Sequence, residues 1–250
     1  MNDRAVSDTV GFVLAFALIT ATVGAVYATG FTGLLGTQRG EQVNNVERAF
    51  DVLDDNIEDV YQDGAPSRAT EIQFTDGSLS TGEPVKVTVQ VNSTTSNANA
   101  TYVMQPRPIV FESRDGSRVV YVADAIIRSD GDRSYMRSGP AWLVDSKRAV
   151  VPFVVTLQSG NRSSFGGTST VLVTTRASSR RIAGHFPTGP SEQAKVNVTV
   201  ESPRADAWKG YFEKQGYDPK DPDASDDIIT YGFETNEVYV PETVVDVAVK

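Results

Sequence analysis

The sequence of 250 residues contains no cysteine and a single histidine, His185. The lack of cysteine excludes a disulfide scaffold, a thiolate metal site and a cysteine nucleophile. A metal site built from several histidines is excluded as well. Basic residues are also scarce, since 23 Lys and Arg face 32 Asp and Glu, for a net charge of -9. This balance argues against nucleic acid as a partner, because phosphate binding depends on clustered Lys and Arg.

The motifs of common enzyme classes are missing too. No G-x-S-x-G elbow, phosphate-binding glycine loop or H-E-x-x-H motif occurs. His185 stands beside Phe186-Pro187 in no recognisable motif, which favours a surface or packing role over that of a general base. We therefore expect no catalytic residue, no cofactor and no enzymatic activity. An extracellular hydrolase that uses a pair of carboxylates is the weaker alternative, because Asp and Glu are plentiful.

Charge is missing altogether from residues 9–38, and the 26 residues from Val10 to Leu35 are apolar enough to cross a bilayer as a helix. A helix needs about 20 residues for this, and it satisfies every backbone group in lipid. The lipid bilayer is therefore an expected partner. A cleaved secretory signal, a permanent anchor and a processed helix are all open. A secretory signal is disfavoured, because such a signal has a basic start and an apolar stretch of only about 7–15 residues. The apolar run of this chain is longer, and its start is not net basic.

The next segment predicts an amphipathic continuation of the helix. Six apolar residues recur at intervals of three and four, which is the helical period. They are Val43, Val46, Phe50, Leu53, Ile57 and Val60. The other face is strongly acidic, and Gly64-Ala65-Pro66 predicts the end of the helix. The stripe is short for a coiled coil, so we expect it to pack on the protein's own globular domain.

The rest of the chain predicts β-strands. Residues 83–92 alternate valine with polar residues, as in a strand with one buried face. Glycine-containing turns at Asp115-Gly116, Asp130-Gly131-Asp132, Ser159-Gly160-Asn161 and Gly166-Gly167 separate further candidates. The other predicted strands cover residues 71–75, 109–112, 119–123, 141–144, 150–157, 170–175, 195–201 and 237–249. Residues 206–215 predict one short helix. The expected fold class is α+β: a long N-terminal helix followed by a mainly antiparallel β domain with one short helix.

The N-terminus resembles that of archaeal type IV pilin-like proteins. The resemblance rests on residues 3–11, Asp-Arg-Ala-Val-Ser-Asp-Thr-Val-Gly, a short charged leader before an apolar helix, although commoner adhesion pilins have Pro-Val in place of Asp8-Thr9. It implies that a prepilin peptidase recognises Arg4 and Ala5 and makes Val6 the new N-terminus. Residues 47–53, 64–72 and 202–208 are similar to an uncharacterised haloarchaeal subgroup of single-span surface proteins. That similarity favours a salt-adapted protein, which composition alone leaves open.

Two further sets of residues are candidate sites. Four Asn-x-Ser/Thr sequons, at Asn92, Asn99, Asn161 and Asn197, are candidates for glycosylation in an external domain. Asn197 lies in the middle of a predicted strand, where a glycan fits poorly. An acidic loop contains Asp218, Asp221, Asp223, Asp226 and Asp227. It is a weak candidate for a hard cation, because it lacks the glycine and bidentate glutamate of an EF-hand, and we expect no metal.

The sequence thus predicts four segments: a leader (1–5), a transmembrane or filament-core helix (6–38), an amphipathic helix (39–63) and an extracellular β domain (64–250). The expected function is that of a pilin-like surface protein, anchored or assembled with other pilin-like subunits through its apolar helix, with a role in adhesion. A permanently anchored envelope protein outside any filament is the alternative. Arg4 and Arg39 flank the span evenly, so the positive-inside rule does not fix its orientation. The sequons and the leader favour an external domain.

Overall fold

The computed structural model describes residues 3–160, 164–187, 193–221 and 227–250, without the side chains of residues 3–9, 30–39 and 187. The chain divides into two compact units, residues 1–44 and 45–250. Helix α1 (Asp3–Tyr61) supplies most of the first unit and begins the second. The second unit contains all the strands, together with helix α2 (Ala205–Lys214). A helix followed by a β domain with one short helix confirms the coarse fold prediction.

The amphipathic part of α1, residues 45–61, packs on the β domain as its apolar stripe predicts. Val46, Phe50, Leu53, Ile57 and Val60 are fully buried within the second unit. Beyond Tyr61 the chain turns back on the helix: the backbone N–H of Ala65 donates to the carbonyl oxygen of Asp59, and Gly64 adopts the left-handed conformation with a φ of 76°. The glycine therefore ends the helix where the sequence predicts.

The strands form two sheets. In chain order they are β1 (Ser67–Thr81), β2 (Lys86–Ser93), β3 (Asn99–Met104), β4 (Ile109–Ser113), β5 (Arg118–Val122), β6 (Ala125–Asp130), β7 (Arg133–Ser138), β8 (Leu143–Val144), β9 (Ala149–Val150), β10 (Phe153–Gln158), β11 (Ser164–Pro187), β12 (Ala194–Glu201), β13 (Asp218–Pro219), β14 (Ile228–Thr235) and β15 (Glu237–Val249). The large sheet has the order β7-β6-β5-β4-β1-β11-β15-β9-β8, with β10 also paired to β15. The small sheet has the order β13-β14-β12-β2-β3. Pairing is antiparallel except where β9 and β10 run parallel to β15.

The main core lies between the two sheets. The inner face of the small sheet contributes the alternating valines of β2 and β12, and the large sheet contributes residues of β5, β6, β10 and β15. Helix α2 closes this core with Trp208 and Phe212, which contact each other at 5.9 Å between ring centroids. The large sheet is buried on both faces, because alternate residues of β5 such as Val119 and Tyr121 are also fully buried outside this core. The helix segment 45–61 lies over that second face.

Several sequence predictions need correction. The strand predicted over residues 150–157 is divided at Val151-Pro152 into β9 and β10, as proline lacks the N–H that a continuous ladder needs. Gly166-Gly167 is not a turn between strands: both residues lie inside β11, opposite an irregularity between Phe74 and Gly77 of β1. Strand β3 (Asn99–Met104) was not predicted, and it leaves only a short connection between the sequons Asn92 and Asn99.

Candidate functional site

The N-terminal apolar segment is long and apolar enough to cross a membrane. Val10–Thr29 is a helical stretch of 20 residues with exposed side chains. The hydroxyl groups of Thr20, Thr22 and Thr29 donate hydrogen bonds to carbonyl oxygens one turn earlier, so the helix itself satisfies them. These are properties of a single membrane span. Length and composition alone do not distinguish such a span from a signal sequence near the N-terminus.

The predicted leader site lies at the start of helix α1. Arg4, Ala5 and Val6 are helical in backbone, and their side chains lie outside the described residues. Nothing in this geometry bears on the peptide bond that a peptidase would cut. The processing site therefore stays a prediction from the sequence.

The small sheet brings three of the four sequons onto one face. Asn92 and Asn99 are exposed and directly opposite each other in the β2–β3 ladder. Asn197 lies on the same outer face, half-buried in the middle of β12 and opposite Gln90. The inner face of these strands carries the core valines, so the sequon face is turned away from the core. Asn161 lies outside the described residues.

The acidic loop is only partly described. Asp218 is exposed in β13, and its carboxylate lies 3.8 Å from the Nζ atom of Lys220. Asp221 and Asp227 are described at the two ends of the loop, whereas Asp223 and Asp226 lie outside the described residues. Within the described parts of the chain, no group of three or more His, Asp or Glu side chains is placed to hold a metal ion. The described part of this loop is thus an exposed acidic surface.

A helix–sheet ion-pair network, which the sequence did not reveal, fixes the segment 45–61 to the large sheet. Glu47 of the helix accepts hydrogen bonds from Arg128 of β6 at 2.8 Å and from Arg137 of β7 at 3.1 Å. Arg137 also reaches Asp51, with its Nη2 atom 2.6 Å from the carboxylate. The side chains of Glu47 and Arg128 are only 11% and 14% exposed. Arg128 is further paired with the more exposed Asp130.

A second buried polar group lies near the C-terminal end of the same helix segment. This acid cluster consists of Asp54, Asp124, Tyr61 and Tyr121. The hydroxyl group of Tyr61 donates to Oδ2 of Asp124 at 3.1 Å, and the backbone N–H of Ala141 donates to the same oxygen at 2.8 Å. Asp124 is 4% exposed, so its carboxylate is almost fully removed from solvent. Among the described residues, no group forms a hydrogen bond with the buried hydroxyl of Tyr121.

The backbone at this cluster is also unusual. Ala123 and Asp124 both have positive φ angles, 51° and 63°, and form a two-residue turn between β5 and β6. Tight hairpins of this kind favour Asn-Gly or Asp-Gly, and an alanine with positive φ is strained. Strain of this sort often accompanies functional positions. The sequence gives little signal for it, because Val-Ala-Asp-Ala lacks the glycine that usually marks such a turn.

Burial changes the acidity of the cluster. It raises the pKa of Asp54 from its ordinary value of 3.8 to about 8. The neighbouring carboxylates of Asp124, Asp55 and Glu58 contribute to this rise of the pKa, whereas a hydrogen bond from Ser138 opposes it. Burial also raises the pKa of Asp124, to about 6, although its hydrogen bonds act in the opposite direction. Asp54 therefore keeps a proton in the folded protein at neutral pH.

His185 lies in a surface cluster on β11 and β15. Its ring stacks on Tyr239 with centroids 4.3 Å apart, and its Nε2 atom lies 2.9 Å from a carboxylate oxygen of Glu237. The Tyr239 hydroxyl and Arg148 also donate to Glu237. These contacts hold the pKa of Glu237 below its ordinary value. His185 thus packs on Tyr239 and forms a hydrogen bond with Glu237 at the protein surface.

An apolar pocket of about 340 Å³ opens beside the acid cluster. Tyr61 and Ala141, which both donate to Asp124, form part of its wall. The remaining wall comes mainly from the β8–β10 region and β15, including Leu143, Pro152, Phe153 and Pro241. The pocket is thus connected to the acid cluster through two hydrogen-bonded wall residues.

Comparison with known proteins places the chain in a family. No curated protein and no solved structure matches it. One family model, described as a family of unknown function (DUF7289), matches residues 4–249, which is nearly the whole chain and includes the apolar helix as well as the β domain. The chain belongs to this family of unknown function, DUF7289.

Proposed function

We propose that the protein is a type IV pilin-like cell-surface protein of haloarchaeal type. The observation that carries this proposal is the division of helix α1. Its residues 10–29 are apolar and exposed, whereas residues 45–61 bury their apolar stripe in the β domain. A pilin uses the first kind of segment for the membrane or the filament core and the second to hold its globular domain.

The proposed route to the surface begins with leader cleavage. A prepilin peptidase recognises Arg4 and Ala5 and leaves Val6 as the first residue, so that the apolar helix stays on the mature protein. The match to the family model begins at residue 4 and includes this helix. That extent supports an N-terminal helix that is part of the protein rather than a removable signal.

The β domain is proposed to lie outside the cell, in a single-pass arrangement. The exposed Asn92 and Asn99, together with Asn197, share the outer face of the small sheet, which supports a glycan-bearing surface. The excess of Asp and Glu in this domain suits a salt-rich exterior. The mature protein then joins a filament through its apolar helix and contributes to adhesion.

Intact mass of the purified mature protein tests the processing step. We expect the unmodified polypeptide to have lost residues 1–5. An Arg4→Gln variant should accumulate at the precursor mass, while the neighbouring Asp3→Asn variant, as the matched control, should be processed normally. A wild-type protein that still begins at Met1 or Asn2 contradicts the proposal.

A permanently anchored envelope protein outside any filament is the alternative, and the same variants separate the two. We expect processed wild-type protein in surface filaments, visible by electron microscopy with an antibody against the β domain. The unprocessed Arg4→Gln protein should be absent from filaments. If wild type and Arg4→Gln reach the surface equally and neither forms filaments, the anchored protein is the correct description.

A further inference from the structure

We propose that the acid cluster is a pH-sensitive contact: while Asp54 keeps its proton, the end of helix α1 is held on the large sheet, and loss of this proton in alkaline solution releases it. The cluster joins three elements of the second unit. Asp54 and Tyr61 belong to the helix, Asp124 to the β5–β6 turn and Tyr121 to strand β5. A change in its charge therefore acts directly between helix and sheet.

Near the C-terminal end of the helix, two carboxyl groups take part in the contact between helix and sheet. Asp124 receives the Tyr61 hydroxyl and the Ala141 N–H on one oxygen. Among the described residues, Asp54 receives one hydrogen bond, a long one of 3.4 Å from Ser138 of β7. By contrast, Glu47 and Asp51 of the same helix are paired with arginines. Asp54, which is half-buried, thus differs from Glu47 and Asp51 in having no arginine partner among the described residues.

The charged groups that face Asp54 come from each element packed around it, and they are acidic. Asp55 and Glu58 act from the helix and Asp124 acts from the β5–β6 turn, all of them against ionisation. The fully buried phenol of Tyr121 borders the same site from β5. Two ionised carboxylates at such a site are strongly unfavourable, because burial removes their solvation and no countercharge replaces it. Binding of a proton to Asp54 neutralises one of the two carboxylates.

The sign of the effect follows from linkage. The pKa of Asp54 is about 8 in the folded protein and 3.8 as its ordinary value. Between these values the folded state binds more protons than the unfolded state, so stability falls as the pH rises through this window. Asp124, whose pKa is about 6 in the folded protein, causes a further decrease in stability with rising pH, at lower pH than Asp54 does. Above the folded pKa of Asp54, both carboxylates are ionised and repel each other.

Release of the helix end would also change the apolar pocket. Tyr61 is the last residue of helix α1 and forms part of the pocket wall, as does Ala141. Both residues donate a hydrogen bond to the same oxygen of Asp124. Movement of the helix end therefore removes one wall of the pocket and exposes its apolar lining.

Hydrogen exchange on the full chain in detergent micelles tests the proposal. Protection of the amides of residues 50–61 is measured at about pH 6 and about pH 10, each relative to the intrinsic exchange rate. We expect wild-type protection to fall by about tenfold or more between the two. An Asp54→Asn variant, which cannot titrate, should lose this fall. Asp63→Asn removes an exposed acid just beyond the helix that is not among the groups acting on Asp54, and it should behave as wild type.

Three outcomes would overturn the proposal. They are a wild-type protection that does not change with pH, an Asp54→Asn variant that keeps the full change, and recovery of protection at high pH on addition of calcium or sodium. The last result would identify a cation site in place of a shared proton. If Asp54→Asn does not fold, infrared difference spectra of the wild type decide instead. A buried protonated carboxyl should lose its carbonyl band near the pH at which protection falls, and the absence of such a band contradicts the proposal.

Discussion

At the scale of single residues, buried charge decides how the helix segment 45–61 meets the sheet. Glu47 lies at the centre of the helix–sheet ion-pair network and contacts two arginines from neighbouring strands. A buried ion pair adds little to stability compared with apolar packing, but removal of one partner leaves an unpaired charge in a poorly solvated place. The two arginines therefore determine where Glu47 lies on the large sheet, although their ion pairs add little to stability.

We expect a Glu47→Gln substitution to reduce the free energy of unfolding by about 1–3 kcal/mol, because Arg128 and Arg137 lose a common carboxylate. Asp130→Asn is the matched control, because Asp130 is the other partner of Arg128 and its side chain is 49% exposed. This substitution should reduce the free energy of unfolding by about 1 kcal/mol or less. Chemical denaturation of the full chain in detergent micelles measures both. An equal loss of unfolding free energy in the two variants would mean that the burial of Glu47 does not increase the cost of breaking its ion pairs.

At the scale of elements, regular patterns in the sequence predicted the structure well. The apolar stripe of helix α1 is buried as expected, and the strand predicted at residues 237–249 is β15 with the same bounds. The alternation in residues 83–92 likewise marks β2, which begins three residues later than predicted. These elements were predictable because a single period over many residues fixes both the type of structure and the buried face.

Elements without such a period were missed. Strands β6 and β7 follow the turn at Ala123-Asp124, which has no glycine to separate β5 from β6. Strand β14 contains Gly232, which weakens a strand signal but leaves room for Lys220, since a Cβ atom there would lie 2.3 Å from Cε of that lysine. The acid cluster and the ion-pair network depend on β6, β7 and this turn. Their partners lie more than 60 positions apart along the chain, and a sequence pattern does not record such pairings.

The two sheets approach each other closely at one glycine of β11. A Cβ atom on Gly184 would lie 2.1 Å from the ring of Tyr102 in β3. We expect Gly184→Ala to reduce the free energy of unfolding by about 1–3 kcal/mol through overpacking, and Tyr102→Ala in the same chain to relieve the clash. Gly210→Ala in α2, where a Cβ atom meets open space, should be neutral or stabilising by up to about 1 kcal/mol. Thermal unfolding of the three variants checks this, and a Gly184→Ala protein as stable as wild type would contradict it.

At the scale of the whole molecule, the boundary between the two units lies inside the helix and not at its end. The second unit begins at Asn45 and includes the helix segment that covers one face of the large sheet. Residues 45–250 contain 29 acids and 21 bases, so this unit carries nearly all of the protein's excess negative charge. The sequence places the β domain at 64–250, because composition and strand pattern both change there. Packing joins the preceding 19 residues to it.

Truncation at the two boundaries distinguishes these descriptions. We expect residues 45–250 to be soluble and to unfold cooperatively, near the temperature at which the full chain's β domain unfolds. Residues 64–250 should aggregate or fail to fold, because they lack Val46, Phe50, Leu53, Ile57 and Val60. At about 1.5–3 kcal/mol for each buried apolar side chain, this loss is about 8–15 kcal/mol, as large as the whole stability of a typical domain. Size-exclusion chromatography measures whether each fragment aggregates, and circular dichroism measures whether it unfolds cooperatively. A soluble, cooperatively folding 64–250 fragment would show that the amphipathic helix is an attachment to the β domain and not a part of its core.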